Sequence, residues 1–152
     1  MDHIVDQKLS KTARNIAEQK LNNFFTLPIR IDHLESRLVT STTPSYQTSE
    51  GQSHKAPSSP VEKAVLAKEE LDHALAELSE LVYLRKLLEE TQPELVRIWD
   101  LRFRKGLRNT DAIVIQELGY GNRQSYFNDR DSLLGRVADV FRLWDDLRGG
   151  KS

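Results

Sequence analysis

The stretch Thr110–Leu134, TDAIVIQELGYGNRQSYFNDRDSLL, decides the fold and reads as two helices joined by a tight turn. Ala112, Ile115 and Leu118 give the first helix an apolar face, Thr110 or Asn109 supplies its N-cap, and Asp111 suits the positive helix end. Gly119 falls where the helix must end in a residue that tolerates positive φ, and Tyr120 follows with a ring able to tuck between the helices. Asn122 is a good N-cap for a second helix from Arg123, its side chain accepting from the backbone N–H of Ser125. Tyr126, Phe127, Leu133, Leu134, Val137 and Ala138 form the inward stripe of that helix, with Tyr126 open to either a core or a groove position. Arg123, Gln124, Ser125, Asn128 and Asp129 lie on its outward, N-terminal side.

A helix, a glycine turn and a helix also occur in bundles that never meet DNA. The residues opening the second helix favour the DNA reading. A helix-turn-helix sends its second helix into the major groove N-terminus first. There Arg pairs bidentately with guanine, and Gln or Asn with adenine. Asn122, Arg123, Gln124, Ser125 and Asn128 are therefore the expected base-contacting residues.

Upstream, Thr91-Gln92-Pro93-Glu94 stops one helix and starts another, whose buried face is Leu95, Ile98, Trp99 and Leu101 or Phe103. Arg97, Arg102, Arg104, Lys105 and Arg108 stand against Asp100 alone between residues 97 and 108. Such a run is usually a solvated face. Lying directly before the helix-turn-helix, it suits the phosphate backbone, where cations gain from counterion release. Arg102, Arg104, Lys105, Arg108 and, from the second helix, Arg130 are the expected phosphate contacts. Beyond Leu134 the last helix runs through Val137 and Phe141 to Trp144, with Phe141 and Trp144 as core anchors. Asp139, Asp145 and Asp146 make its far end repel phosphate.

Ser59-Pro60-Val61-Glu62 forms a capping box for a long helix to about Glu89, with Leu71, Ala74, Leu75, Leu78, Leu81, Val82 and Leu88 as its apolar stripe. About two and a half heptads are short for a coiled-coil seam, so packing on the following helices is expected. Before it, residues 40–59 (TSTTPSYQTSEGQSHKAPSS) lose all periodicity and read as a flexible or loosely ordered linker. Residues 7–25 and 27–38 carry two short amphipathic helices, the second opening at Pro28. They fit either packing on the main domain or engagement of a partner or second copy. The expected organisation is an all-α chain: an N-terminal arm over 1–39, a linker over 40–59, and a DNA-binding body over 60–148 with its helix-turn-helix at about 110–134.

Composition narrows the function classes. The 152 residues carry 38% apolar and 30% charged side chains and a net charge of −1, so a nucleic-acid site must be a local patch. The absence of cysteine excludes disulfides and thiolate catalysis and fits a reducing cytosol. No apolar run has the length of a membrane span, and MDHIVDQKLSK lacks a signal-peptide core, so no membrane partner and a cytoplasmic location are expected. His3, His33, His54 and His73 are scattered without metal-ligand spacing, and Gly119-Tyr120-Gly121 has no GK[ST] after it, so no metal, cofactor or catalysis is expected.

The order of a short helical arm, a Ser/Thr/Pro linker containing PSY, the SSPVEKAV helix start and a final LGY…YF..R..LL..VA resembles phage transcriptional regulators of the RinA/ArpU type. The resemblance covers roughly residues 25 to 142. It implies activation of late genes in a bacterial host, double-stranded DNA as partner, contact with host RNA polymerase near a promoter, and a helix-turn-helix similar to region 4 of sigma factors. Tyr126-Phe127, Arg130, Leu133-Leu134 and Val137-Ala138 match the family's pattern in the recognition helix. One departure is the turn GYGN, a residue longer than usual with Gly121 in place of Ser, which leaves open which of Asn122, Arg123 and Gln124 face the bases. Two other classes remain: a small-terminase-like packaging protein that assembles a homo-oligomeric ring, and a helical adaptor without DNA contact.

Overall fold

A computed structural model describes residues 8–42, 60–104 and 109–144. Among the described residues the chain is all-α, with helices α1 (Lys11–Thr42), α2 (Pro60–Thr91), α3 (Pro93–Arg102), α4 (Asp111–Leu118) and α5 (Arg123–Phe141). Residues 43–59, most of the expected linker and its Ser59 cap, lie outside the described residues, while 40–42 continue α1.

The two short helices expected at the N-terminus are one. Ser10 caps α1, its hydroxyl accepting from Ala13 N at 3.1 Å, and the helix then runs unbroken through Pro28. An interior proline forfeits a backbone hydrogen bond and costs about 3 kcal/mol. Here Pro28 is exposed, and the buried residues Leu27, Ile31 and Leu34 keep helical phase across it, so packing of that face holds the helix.

The chain forms two compact units: described residues up to Phe25 with those from Glu80 onward, and the described part of Thr26–Ser79. This division differs from the arm, linker and body drawn from the sequence. In the second unit, Leu27, Ile31 and Leu34 of α1 and Ala67, Leu71 and Ala74 of α2 are buried, and Arg30 and Glu70 approach to 4.0 Å. Leu75, expected on the buried stripe of α2, is exposed, and Ala67 takes part instead. The repeat 67, 71, 74 is the in-phase one.

The first unit is built around Trp99, fully buried on α3. Its indole Nε1 donates to the Leu21 carbonyl at 2.9 Å, and Phe24 meets its ring edge-on at 5.2 Å. The Arg85 guanidinium lies over both rings and donates from Nη2 to the two Asp100 carboxylate oxygens at 2.8 and 3.0 Å. Ala13, Ala17 and Leu21 of α1 are buried in this unit, so the N-terminal helix contributes to the core of the body. Arg14 reaches Asp131 of α5 at 3.3 Å, and Lys20 lies over the Phe141 ring.

Helix α3 ends with Phe103, which is buried, and packs on both α4 and α5. Helix α5 stops at Phe141 because Arg142 takes a left-handed conformation (φ 58°). Trp144, expected as a core anchor at the end of that helix, lies beyond it, partly exposed, with Nε1 donating to Asp139 at 2.7 Å and its ring beside Gly135.

Candidate nucleic-acid interface

Local chemistry fixes the unit α4–turn–α5. Thr110 Oγ1 accepts from Ile113 N at 3.3 Å to cap α4, and Gly119 ends it in the left-handed region (φ 74°). Asn122 Oδ1 accepts from Ser125 N at 2.8 Å and starts α5. The inward face of α4 is Asp111, Val114, Ile115 and Leu118, with Val114 fully buried and Ala112 exposed. Ala112 was expected on that face. The apolar run 113–115 cannot select a side by itself, and packing against α3 selects the one containing Val114.

Asp111 is the hub of the site. Its Oδ1 accepts from Arg102 Nε at 2.9 Å and from the Tyr126 hydroxyl at 2.5 Å, and its Oδ2 accepts from Arg130 Nη1 at 3.1 Å. One carboxylate thus joins the end of α3, the start of α4 and the middle of α5. Burial pushes the Asp111 carboxyl up, but the hydrogen bonds from Tyr126 and Arg102 and the charges of Arg102 and Arg130 outweigh it and hold the group below its ordinary value. Tyr126 moves the other way: burial, the bond to Asp111 and that carboxylate's charge all raise it. Tyr120 meets Tyr126 edge-on at 5.5 Å and donates to Asp129 Oδ2 at 2.6 Å. Burial and Asp129 likewise push Tyr120 up.

The hub changes the place of the expected phosphate contacts. Arg102 and Arg130 keep only 29% and 16% side-chain exposure and are committed to Asp111, so a phosphate would have to compete with a carboxylate already in place. Arg104 is exposed, with its guanidinium over Phe25. Lys105 and Arg108 lie outside the described residues. Arg97, which sequence reasoning passed over as a site residue, is exposed on α3 and lines a cleft of about 370 Å³ with Glu94, Gly121, Ser125 and Asp129. Its signal in the sequence was only one member of a basic run. The two carboxylates make that cleft itself unfavourable for phosphate.

The expected base-contacting residues come together. Asn122, Arg123, Gln124, Ser125 and Asn128 are all exposed at the start of α5. Gln124 Nε2 donates to Asn128 Oδ1 at 3.0 Å, one helical turn on. Arg123 lies over the Phe127 ring, 5.2 Å from its centroid, and Arg130 lies over the same ring at 5.0 Å. Phe127, expected on the inward stripe, is only half-buried and serves as the platform between these two arginines. Asn122 is engaged in capping through its side-chain oxygen, which turns that atom toward the helix and away from any base.

Among the described residues, no group of three or more His, Asp or Glu side chains could hold a metal ion, and no helix is long and apolar enough to cross a membrane. No family model, curated protein or solved structure matches the chain.

Proposed function

We propose that this protein binds double-stranded DNA through α4, the turn and α5, with the first two turns of α5 in the major groove, and that it acts as a transcriptional regulator. The observation that carries this reading is the exposed, uncharged, hydrogen-bonding row Gln124, Ser125 and Asn128 at the start of a capped helix. The bond between Gln124 and Asn128 leaves Gln124 Oε1 to accept from, and Asn128 Nδ2 to donate to, an outside partner. An adenine edge offers the complementary pair, an N6 donor and an N7 acceptor. Arg104 is an exposed cation suited to a flanking phosphate. Activation of phage late genes, with host RNA polymerase as a further partner, is what the family resemblance adds to this reading.

Selection of duplexes by the full chain from a randomised pool tests it. The expected result is an enriched sequence, protected in footprinting, whose binding weakens as salt rises. Recovery of no duplex above background would overturn the reading. A second reading, an assembling packaging protein, draws on the exposed apolar residues Val61, Val65, Leu66 and Leu75 of α2. Light scattering separates the two, since a ring requires many copies and a groove-reading regulator does not.

A further inference from the structure

We infer that Phe127 is a positioning residue that presets Arg123 to read a guanine in duplex DNA; the inference rests on the DNA-binding reading of α5. Arg123 opens the helix and is exposed, and a free arginine on such an end would sample many rotamers. Its guanidinium instead lies over the Phe127 ring at 5.2 Å. The ring is held in turn: Arg130 lies over it at 5.0 Å, and Tyr126 meets it edge-on at 5.1 Å. Arg130 and Tyr126 are both bonded to Asp111. A continuous chain of contacts therefore runs from the half-buried carboxylate of Asp111, through Arg130 and Tyr126, to the aromatic platform under Arg123.

Stacking on a ring leaves the edge of a guanidinium open, and that edge carries the parallel N–H donors that match guanine O6 and N7. Less side-chain freedom is then lost when the bidentate pair forms, which sharpens discrimination at one base. Lysine has the charge without the planar fork, so it does not substitute.

The test uses the full chain and the duplex it selects, with each guanine replaced in turn by 7-deazaguanine, which lacks the N7 acceptor. The expected result is one guanine whose replacement weakens wild-type binding roughly tenfold, as loss of the N7 half of a bidentate contact predicts. Arg123→Ala and Arg123→Lys should abolish the difference, Phe127→Leu should reduce it to about twofold, and Phe127→Tyr should restore it; thermal melting checks that each variant is folded. The inference is overturned if a selected duplex shows no guanine dependent on Arg123, or if Phe127→Leu or Arg123→Lys keeps the tenfold difference. Failure to select any duplex would remove the DNA-binding reading itself, an outcome distinct from these and equally fatal to the inference.

Discussion

The indole Nε1 of Trp99 donates to the backbone carbonyl of Leu21 at 2.9 Å, joining α3 to α1 in the centre of one unit. Both residues are fully buried. A fragment covering residues 58–148 would expose this face of Trp99 to water. We expect that fragment to lose the cooperative melting that the full chain shows. In the full chain, Trp99→Phe should cost roughly 1–3 kcal/mol in urea unfolding, because the indole's bond to the Leu21 carbonyl is lost and the smaller ring leaves a void. A fragment that melts as sharply as the whole would show that α1 is dispensable.

Asp111 gives the protein an acid limit. Its folded pKa is lowered, so its contribution to stability is fully present above the unfolded carboxyl value near 3.9 and is lost as pH falls through the folded value. Asp111→Asn should cost roughly 1–3 kcal/mol at neutral pH, the scale of hydrogen bonds to a charged group. It should also flatten the fall in melting temperature below about pH 4. An unchanged acid limb in the variant would place that proton uptake elsewhere.

Tyr120 and Tyr126 set the alkaline side. Both are raised, by burial first and then by their bonded carboxylates. Their contribution is present below the ordinary tyrosine value of about 10 and is lost as pH rises through the folded values. The difference in phenolate absorbance between the wild type and a Tyr120→Phe/Tyr126→Phe double variant should therefore develop only well above pH 10. A difference signal centred near 10 would mean that neither hydroxyl is held by its carboxylate in solution.

Gly119 is the turn residue with a backbone reason. At φ 74° it occupies the left-handed region, yet a Cβ there would meet nothing within 4 Å. The cost of Gly119→Ala is then conformational alone, about 1 kcal/mol, and Gly119→Asn should cost less because asparagine visits this region more readily. Equal melting temperatures for the two variants would argue against that origin.

Where local chemistry dominates, the sequence was legible. The Asn122 cap, the Gly119 stop, the Thr91–Pro93 break and the inward positions Leu133, Leu134, Val137 and Ala138 all follow from spacing and cap chemistry, and the structure places them so; Tyr126, open between core and groove in the sequence, is buried. Pro28 misled because its local preference for a helix start lost to a stripe that continued in phase. The apolar run 113–115 of α4 gave no side of its own, and only α3 could supply one. Arg102 and Arg130 looked like free cations because their partner, Asp111, lies nine and nineteen residues away in sequence. Ion pairs at that separation are tertiary facts that no window of periodicity contains.

Base reading by the first turns of α5, as proposed, is measured by the ratio of affinities for the selected duplex and a scrambled one. Gln124→Ala and Asn128→Ala remove exposed amides, so melting should stay within about 0.5 kcal/mol of the parent. Leu133→Ala, at a fully buried position, should instead lose roughly 2–5 kcal/mol of stability. Each amide variant should lower the affinity ratio by about 5- to 150-fold, corresponding to roughly 1–3 kcal/mol at one base pair. If both variants distinguish the two duplexes as well as the parent does, α5 does not read bases.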